Sequence, residues 1–284
     1  MALVYTSLLR TDPEMSSDAS EPTTTADTAA PSPAAGATDA AGLVTAAVLV
    51  IGDEILSGST KDKNAGYIAE YLTAIGIDVL EVRMVPDVEW RIIEALDALR
   101  GRYTYVFTTG GIGPTHDDIT ADSIAKAFGV GIDVDERALT PMKAYFERRG
   151  VELTPARLRM ARIPFGAELV ENSVSIAPGF MLGNVIVMAG IPSIMQVMLD
   201  AAARHLKTGK KMLSSALDLH RPEGEIAGMF EALQKRYPDV PMGSYPFIRD
   251  GKPGTQLVLR STDAERLAAA DAELRAELAA RGWL

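Results

Sequence analysis

From Val44 onward the apolar positions follow two alternating periods. Val44–Ile51 (VTAAVLVI) is short and almost continuously apolar, the pattern of a strand covered on both faces. The spacing then predicts a helix over residues 64–75, capped by Asn64 and ended by Gly76. Ile77–Val85 reads as a second strand, and the helix after it carries Trp90, Ile93, Leu96 and Leu99 on one stripe. Residues 103–109 form a third strand, followed by a glycine-rich loop and a helix over Thr120–Phe128. Strands alternating with helices at this spacing predict an α/β fold: a doubly wound, mainly parallel sheet that binds ligands at the carboxyl ends of its strands.

Helical periodicity continues over residues 135–149 and 155–162. Residues 167–188 alternate and turn, predicting hairpin strands beside the main sheet, and a helix over 192–206 opens on a proline. Beyond it the pattern reads strand (212–219), helix (223–237), two strands (242–248 and 255–260) and helix (263–278), a small βαββα, α+β unit. The expected organisation is a first domain over residues 43–208 and a second over 209–284. Residues 1–42 are rich in Ala, Ser, Thr, Pro and Asp and poor in large apolar side chains, so a disordered segment is expected there.

Composition narrows the partners. The 284 residues carry 28 Lys and Arg against 38 Asp and Glu, a net charge of −10, which argues against nucleic acid. There is no cysteine, so disulfides and thiolate metal sites are excluded. No apolar run reaches membrane-spanning length and the first residues lack a secretion-signal pattern, so the expected compartment is the cytoplasm, with no membrane partner.

The chemistry concentrates in GGIGPTHDDIT, residues 110–120. Gly110, Gly111 and Gly113 allow backbone N–H groups to approach an anion, and a helix begins just beyond. Asp117 and Asp118 would repel a phosphate in such a cradle. Asp53 follows the first strand and Asp87 the second, so four carboxylates fall on one edge of the sheet. Like charges gathered there call for a cation, and a hard divalent metal bound by one or two carboxylates plus substrate phosphate suits the donors. The metal ligands expected are Asp53, Asp87 and Asp118, with Asp87, Asp117 and Asp118 as the catalytic acids. Thr115 and Thr120 are candidate ligand contacts beside the glycines, and Ser175 and Gly179 (SIAPG) a candidate second wall. Asp118 and Thr120 also suit helix capping.

These stretches resemble one family. GDEILSGSTKDKNAGYIAEYL, VPD at Asp87, GGIGPTHDDITADSIAKAFG, IAPGF and AGIP are together similar to the molybdopterin-binding-like domains, which include MoaB and Mog proteins and the N-terminal domain of CinA. The spelling of the glycine loop and the later GKPGTQLVLRSTD resemble the branch associated with eukaryotic FAD synthases. The resemblance implies a three-layer α/β/α core holding a phosphorylated pterin or nucleotide, and a homo-oligomer. It further implies a metal-dependent pyrophosphatase (with Mg²⁺, Mn²⁺ or Co²⁺) acting on ADP-ribose or FAD. Two alternatives are molybdopterin binding or adenylation, and nucleotide binding without chemistry. Ala189 and Ile194, in AGIPSIM, depart from the CinA pattern at one edge of the pocket.

Overall fold

The computed structural model describes residues 43–284; the segment expected to be disordered, 1–42, lies outside the described residues. In chain order the elements are β1 (Val44–Ile51), α1 (Asp53–Leu56), α2 (Asn64–Ala74), β2 (Ile77–Val85), α3 (Glu89–Arg100), β3 (Tyr105–Thr109) and α4 (Thr120–Phe128). Then come β4 (Ile132–Val134), α5 (Glu136–Arg148), α6 (Pro155–Leu158), a 3₁₀ turn (Arg159–Ala161) and β5 (Arg162–Pro164). β6 (Glu168–Val170), β7 (Gly179–Leu182), β8 (Val185–Met188) and α7 (Pro192–Ala203) follow. The chain ends with β9 (Leu213–Leu219), α8 (Glu223–Arg236), β10 (Met242–Arg249), β11 (Lys252–Ser261) and α9 (Ala264–Ala280).

Six strands form the main sheet in the order β2-β1-β3-β8-β7-β6. β1 pairs in parallel with β2 and β3, and β3 in parallel with β8. The sheet is thus mainly parallel, with helices on both faces. Ala47, Leu49 and Ile51 pack with Ile92, Leu96 and Leu99 of α3, while Val48 and Val50 pack with Ile68 and Leu72 of α2 and Met195 of α7. That is why every residue of β1 is apolar or small and buried. In the C-terminal part, β9, β10 and β11 make an antiparallel sheet whose apolar face packs with α8 and α9. Among the described residues, no helix is long and apolar enough to cross a membrane.

Several local expectations are corrected. The strands of residues 167–188 join the main sheet rather than lying beside it, and β7 runs antiparallel to both neighbours. Residues 155–162 form one helical turn, a 3₁₀ turn and the start of β5, which pairs with the unforeseen β4. On α3 the buried stripe is Ile92, Ala95, Leu96 and Leu99, whereas Trp90 is 57% exposed. Steps of three from Trp90 drift about 60° backward per step around a 3.6-residue helix, so Trp90 and Leu99 cannot share a face.

Nor does Asn64 cap α2. Asp62 does, its two carboxylate oxygens accepting from the N–H groups of Asn64 and Ala65, each at 3.1 Å. Asn64 is buried and donates from Nδ2 to the carbonyl of Gly190 at 2.8 Å, tying α2 to the loop before α7. Asp62→Ala is expected to cost about 1 kcal/mol in denaturant unfolding, the ordinary value of a lost N-cap. Destabilisation below the measurement error would show that water replaces the carboxylate.

Candidate functional site

β1, β3 and β8 end at the same edge of the sheet, and the chain leaves each through glycine: Gly52, Gly110 and, one residue on, Gly190. At Gly110 backbone packing leaves no room for a side chain, and at Gly190 it is tight. A Cβ on Gly110, whose φ is +100°, would lie 2.1 Å from the carbonyl oxygen of Ile51. On Gly190 it would lie 3.3 Å from the Cα of Gly110. Gly111 has φ +66°, and its Cβ would meet the Thr120 hydroxyl at 2.1 Å. These bare backbones floor a cleft of about 580 Å³.

The loop is held by its own polar groups. Thr120 is fully buried; its N–H donates to the carbonyl of Gly111 and its hydroxyl to that of Gly110, both at 3.0 Å. It therefore staples the loop and does not line the cleft, and one donor of the first turn of α4 is taken up by the staple. Asp118 does not cap α4 either. Its Oδ2 accepts from the Thr115 N–H at 2.7 Å and lies 2.6 Å from the Thr115 hydroxyl. Thr115 lies 2.5 Å from Asp117 through the same hydroxyl, so it organises both carboxylates from outside the cleft wall.

Glu54, Asp87, Asp117 and Asp118 line the cleft. Asp53 does not: as the first residue of α1 it is exposed, and its backbone N–H donates to Asp87 Oδ2 at 2.9 Å. Burial pushes the Asp87 carboxyl above its usual range, and the charges of Asp53, Glu54 and Asp117 push the same way, against the Asp53 N–H. Hydrogen bonding by the Thr115 hydroxyl holds Asp117 below its usual range. Among the described residues, no group of three His, Asp or Glu closes around one point as a ready-made metal cage. The donors are nevertheless hard oxygens with mutually repelling charges. That fits a cation held by one or two carboxylates and completed by ligand phosphate, not an all-protein site.

Ser175 lines the opposite wall, and Asn172 places it there. The Asn172 amide donates to Ser175 Oγ at 2.6 Å and to the Ala177 carbonyl at 2.8 Å, and its Oδ1 accepts from the N–H groups of Val174 and Ser175. Between them, Ile176 sits at φ +70°, an outlier for a β-branched residue. Gly179 is no part of the wall. It is buried in β7, where a Cβ would lie 2.3 Å from the Val187 carbonyl, so it serves strand pairing. Ala189 and Ile194, the departures from the CinA pattern, both line the cleft, beside Met160 and Ile191. Asn172 and Met160 gave no sequence signal, because nothing local in their stretches marks them as facing one space; Thr60, which also lines the cleft, lies within the GDEILSGST motif.

Comparison with known proteins places the chain. Residues 47–208 match the family model described as "Probable molybdopterin binding domain", and residues 211–283 match "FAD synthase, middle domain". A protein of Aeropyrum pernix is 34% identical over 208 residues, 70% of this chain and 78% of that one. One from Metallosphaera sedula is 37% identical over 171 residues, 58% of this chain and 64% of its own length. Among solved structures, the protein CinA of unknown function from Thermoplasma acidophilum is 35% identical, with a TM-score of 0.53 over 57% of this chain and 98% of that one.

Proposed function

The chain belongs to the family of molybdopterin-binding domains, followed by a region matching the FAD synthase middle domain, and from that footing we propose that it is a divalent-metal-dependent pyrophosphatase acting on a nucleotide diphosphate compound of the ADP-ribose or FAD class. The observation that carries this reading is one cleft containing both an anion-cradling glycine loop and four carboxylates. A site for a neutral ligand has no use for either, and a site for a bare phosphate has no use for the acids.

The roles follow from the environments. Gly110, Gly111 and Gly113 let the backbone approach the diphosphate closely. Asp87 and the free Oδ1 of Asp118 would hold Mg²⁺, Mn²⁺ or Co²⁺. The cation supplies positive charge to the phosphoryl oxygens and acidifies water. Asp117, kept ionised by Thr115, orients the attacking water as a hydrogen-bond acceptor, and Asp53 acts through its N–H by fixing the Asp87 carboxylate. The apolar side, with Ile112, Met160, Ile194 and Met198, offers a surface to a planar ring.

Incubating the whole chain with FAD or ADP-ribose and each metal, then chromatographing the products, tests the reading. Release of AMP that stops on adding a chelator is the expected result, and no AMP under any of the three metals would sink it. The family description favours a second reading, molybdopterin binding with or without adenylation, which predicts tight pterin binding and no release of AMP. Ligand-dependent thermal stabilisation without turnover would instead mark a nucleotide sensor.

A further inference from the structure

Arg159 occupies the 3₁₀ turn between α6 and β5, half-buried, with Nη2 donating to the carbonyl oxygen of Asp118 at 3.2 Å. It lines a narrow cleft behind the glycine loop, where Gly111, Gly113 and Asp118 form walls common to this cleft and the main one. The narrow cleft holds about 20 Å³, room for one water-sized atom such as a phosphoryl oxygen but not for a ring. Arg162 lines it too, but both its terminal nitrogens are committed to Asp122, at 2.8 and 2.7 Å. Arg159 has no carboxylate partner among the described residues. One of its five N–H donors is used, and that one on a neutral carbonyl.

Charge gives this geometry a purpose. Among the described residues, the main cleft is lined by Glu54, Asp87, Asp117 and Asp118 and by no lysine or arginine. One divalent cation offsets two negative charges, and a bound diphosphate adds at least two more. An uncommitted guanidinium against the loop is the complement such a ligand lacks, and the charged N–H donors of its planar fork suit a phosphoryl oxygen entering the narrow cleft. We propose that Arg159 grips the second phosphoryl group of the bound ligand, making the site select nucleoside diphosphates over monophosphates. The proposal rests on the diphosphate reading above but not on hydrolysis.

Calorimetric titration of the whole chain with ADP and with AMP, Mg²⁺ present, tests it. The wild type is expected to prefer ADP. Arg159→Gln should weaken ADP binding by roughly 10- to 100-fold, the scale of a lost charge-assisted pair, and AMP by no more than about twofold. Gln keeps a donor for the Asp118 carbonyl, so a residue that merely braced the loop would leave the ADP-to-AMP ratio unchanged, and that result overturns the proposal. Arg159→Lys restores charge without the fork and should recover part of the ratio; if the Gln variant fails to fold, the Lys variant decides by the same criterion. A wild type with an Arg159-dependent preference for ADP that makes no AMP from ADP-ribose would remove hydrolysis alone. One that hydrolyses with an Arg159-independent ratio would remove this proposal alone.

Discussion

Alanine at Gly110 is expected to destabilise the protein by about 3–5 kcal/mol and to abolish nucleotide binding. Two costs add at this position. A non-glycine residue at φ +100° is strained wherever it stands, and here the new methyl would lie 2.1 Å from the Ile51 carbonyl oxygen. That atom belongs to the last residue of β1, which is buried and paired with Val85 of β2, so it cannot yield without disturbing the end of that ladder. Gly166 separates the two terms. Its φ is +83° and no atom lies within 4 Å of where a Cβ would stand, so Gly166→Ala should show the conformational term alone, about 1–2 kcal/mol. Equal losses at the two positions, by denaturant midpoint at unchanged m, would show that the strand end moves aside and the cleft floor is plastic.

On the proposed activity, Asp87→Asn should reduce AMP release from FAD or ADP-ribose by ~10²-fold or more, since even outer groups of a metal site cost 10- to 100-fold. The same change should raise the Tm of the metal-free protein slightly at neutral pH. Burial and the neighbouring charges raise the folded-state carboxyl above its unfolded value. Its stabilising contribution is therefore present in full below the ordinary carboxylate range and is lost as pH rises through the folded value. At neutral pH the ionised side chain is held at a cost that asparagine removes, while Asn Oδ1 can still accept the Asp53 N–H. The Tm gain should vanish in acid, and a divalent cation should stabilise the wild type more than the variant. A variant less stable than wild type at neutral pH, with chelator present, would mean that the carboxylate is braced rather than crowded.

Both expectations concern groups whose kind, but not whose arrangement, could be read from the chain. The continuous apolar run of β1, the periodicity of α4 and the βαββα order of the last third follow from local patterning, because burial on one face or two leaves its period in the residues themselves. The glycine loop and the acids after β1 and β2 were legible for the same reason: a parallel strand order places all strand ends on one edge. The motifs also carried the family.

What only the folded chain decides is direction and partnership. Asp53 and Asp87 follow equivalent strands, yet one presents a backbone N–H to the other's carboxylate and leaves its own side chain in solvent. Thr120 and Gly179 stand in conspicuous motifs and turn inward to hold loop and sheet, while Asn172, in an unmarked stretch, lines the main cleft and Arg159, in another, the narrow cleft behind the glycine loop. Periodicity is a property of neighbours along the chain, so it survives in the sequence. Which side chain fills the last few ångströms between β1, β3 and the turn after α6 depends on contacts between residues scores of positions apart, and those exist only once the sheet has closed.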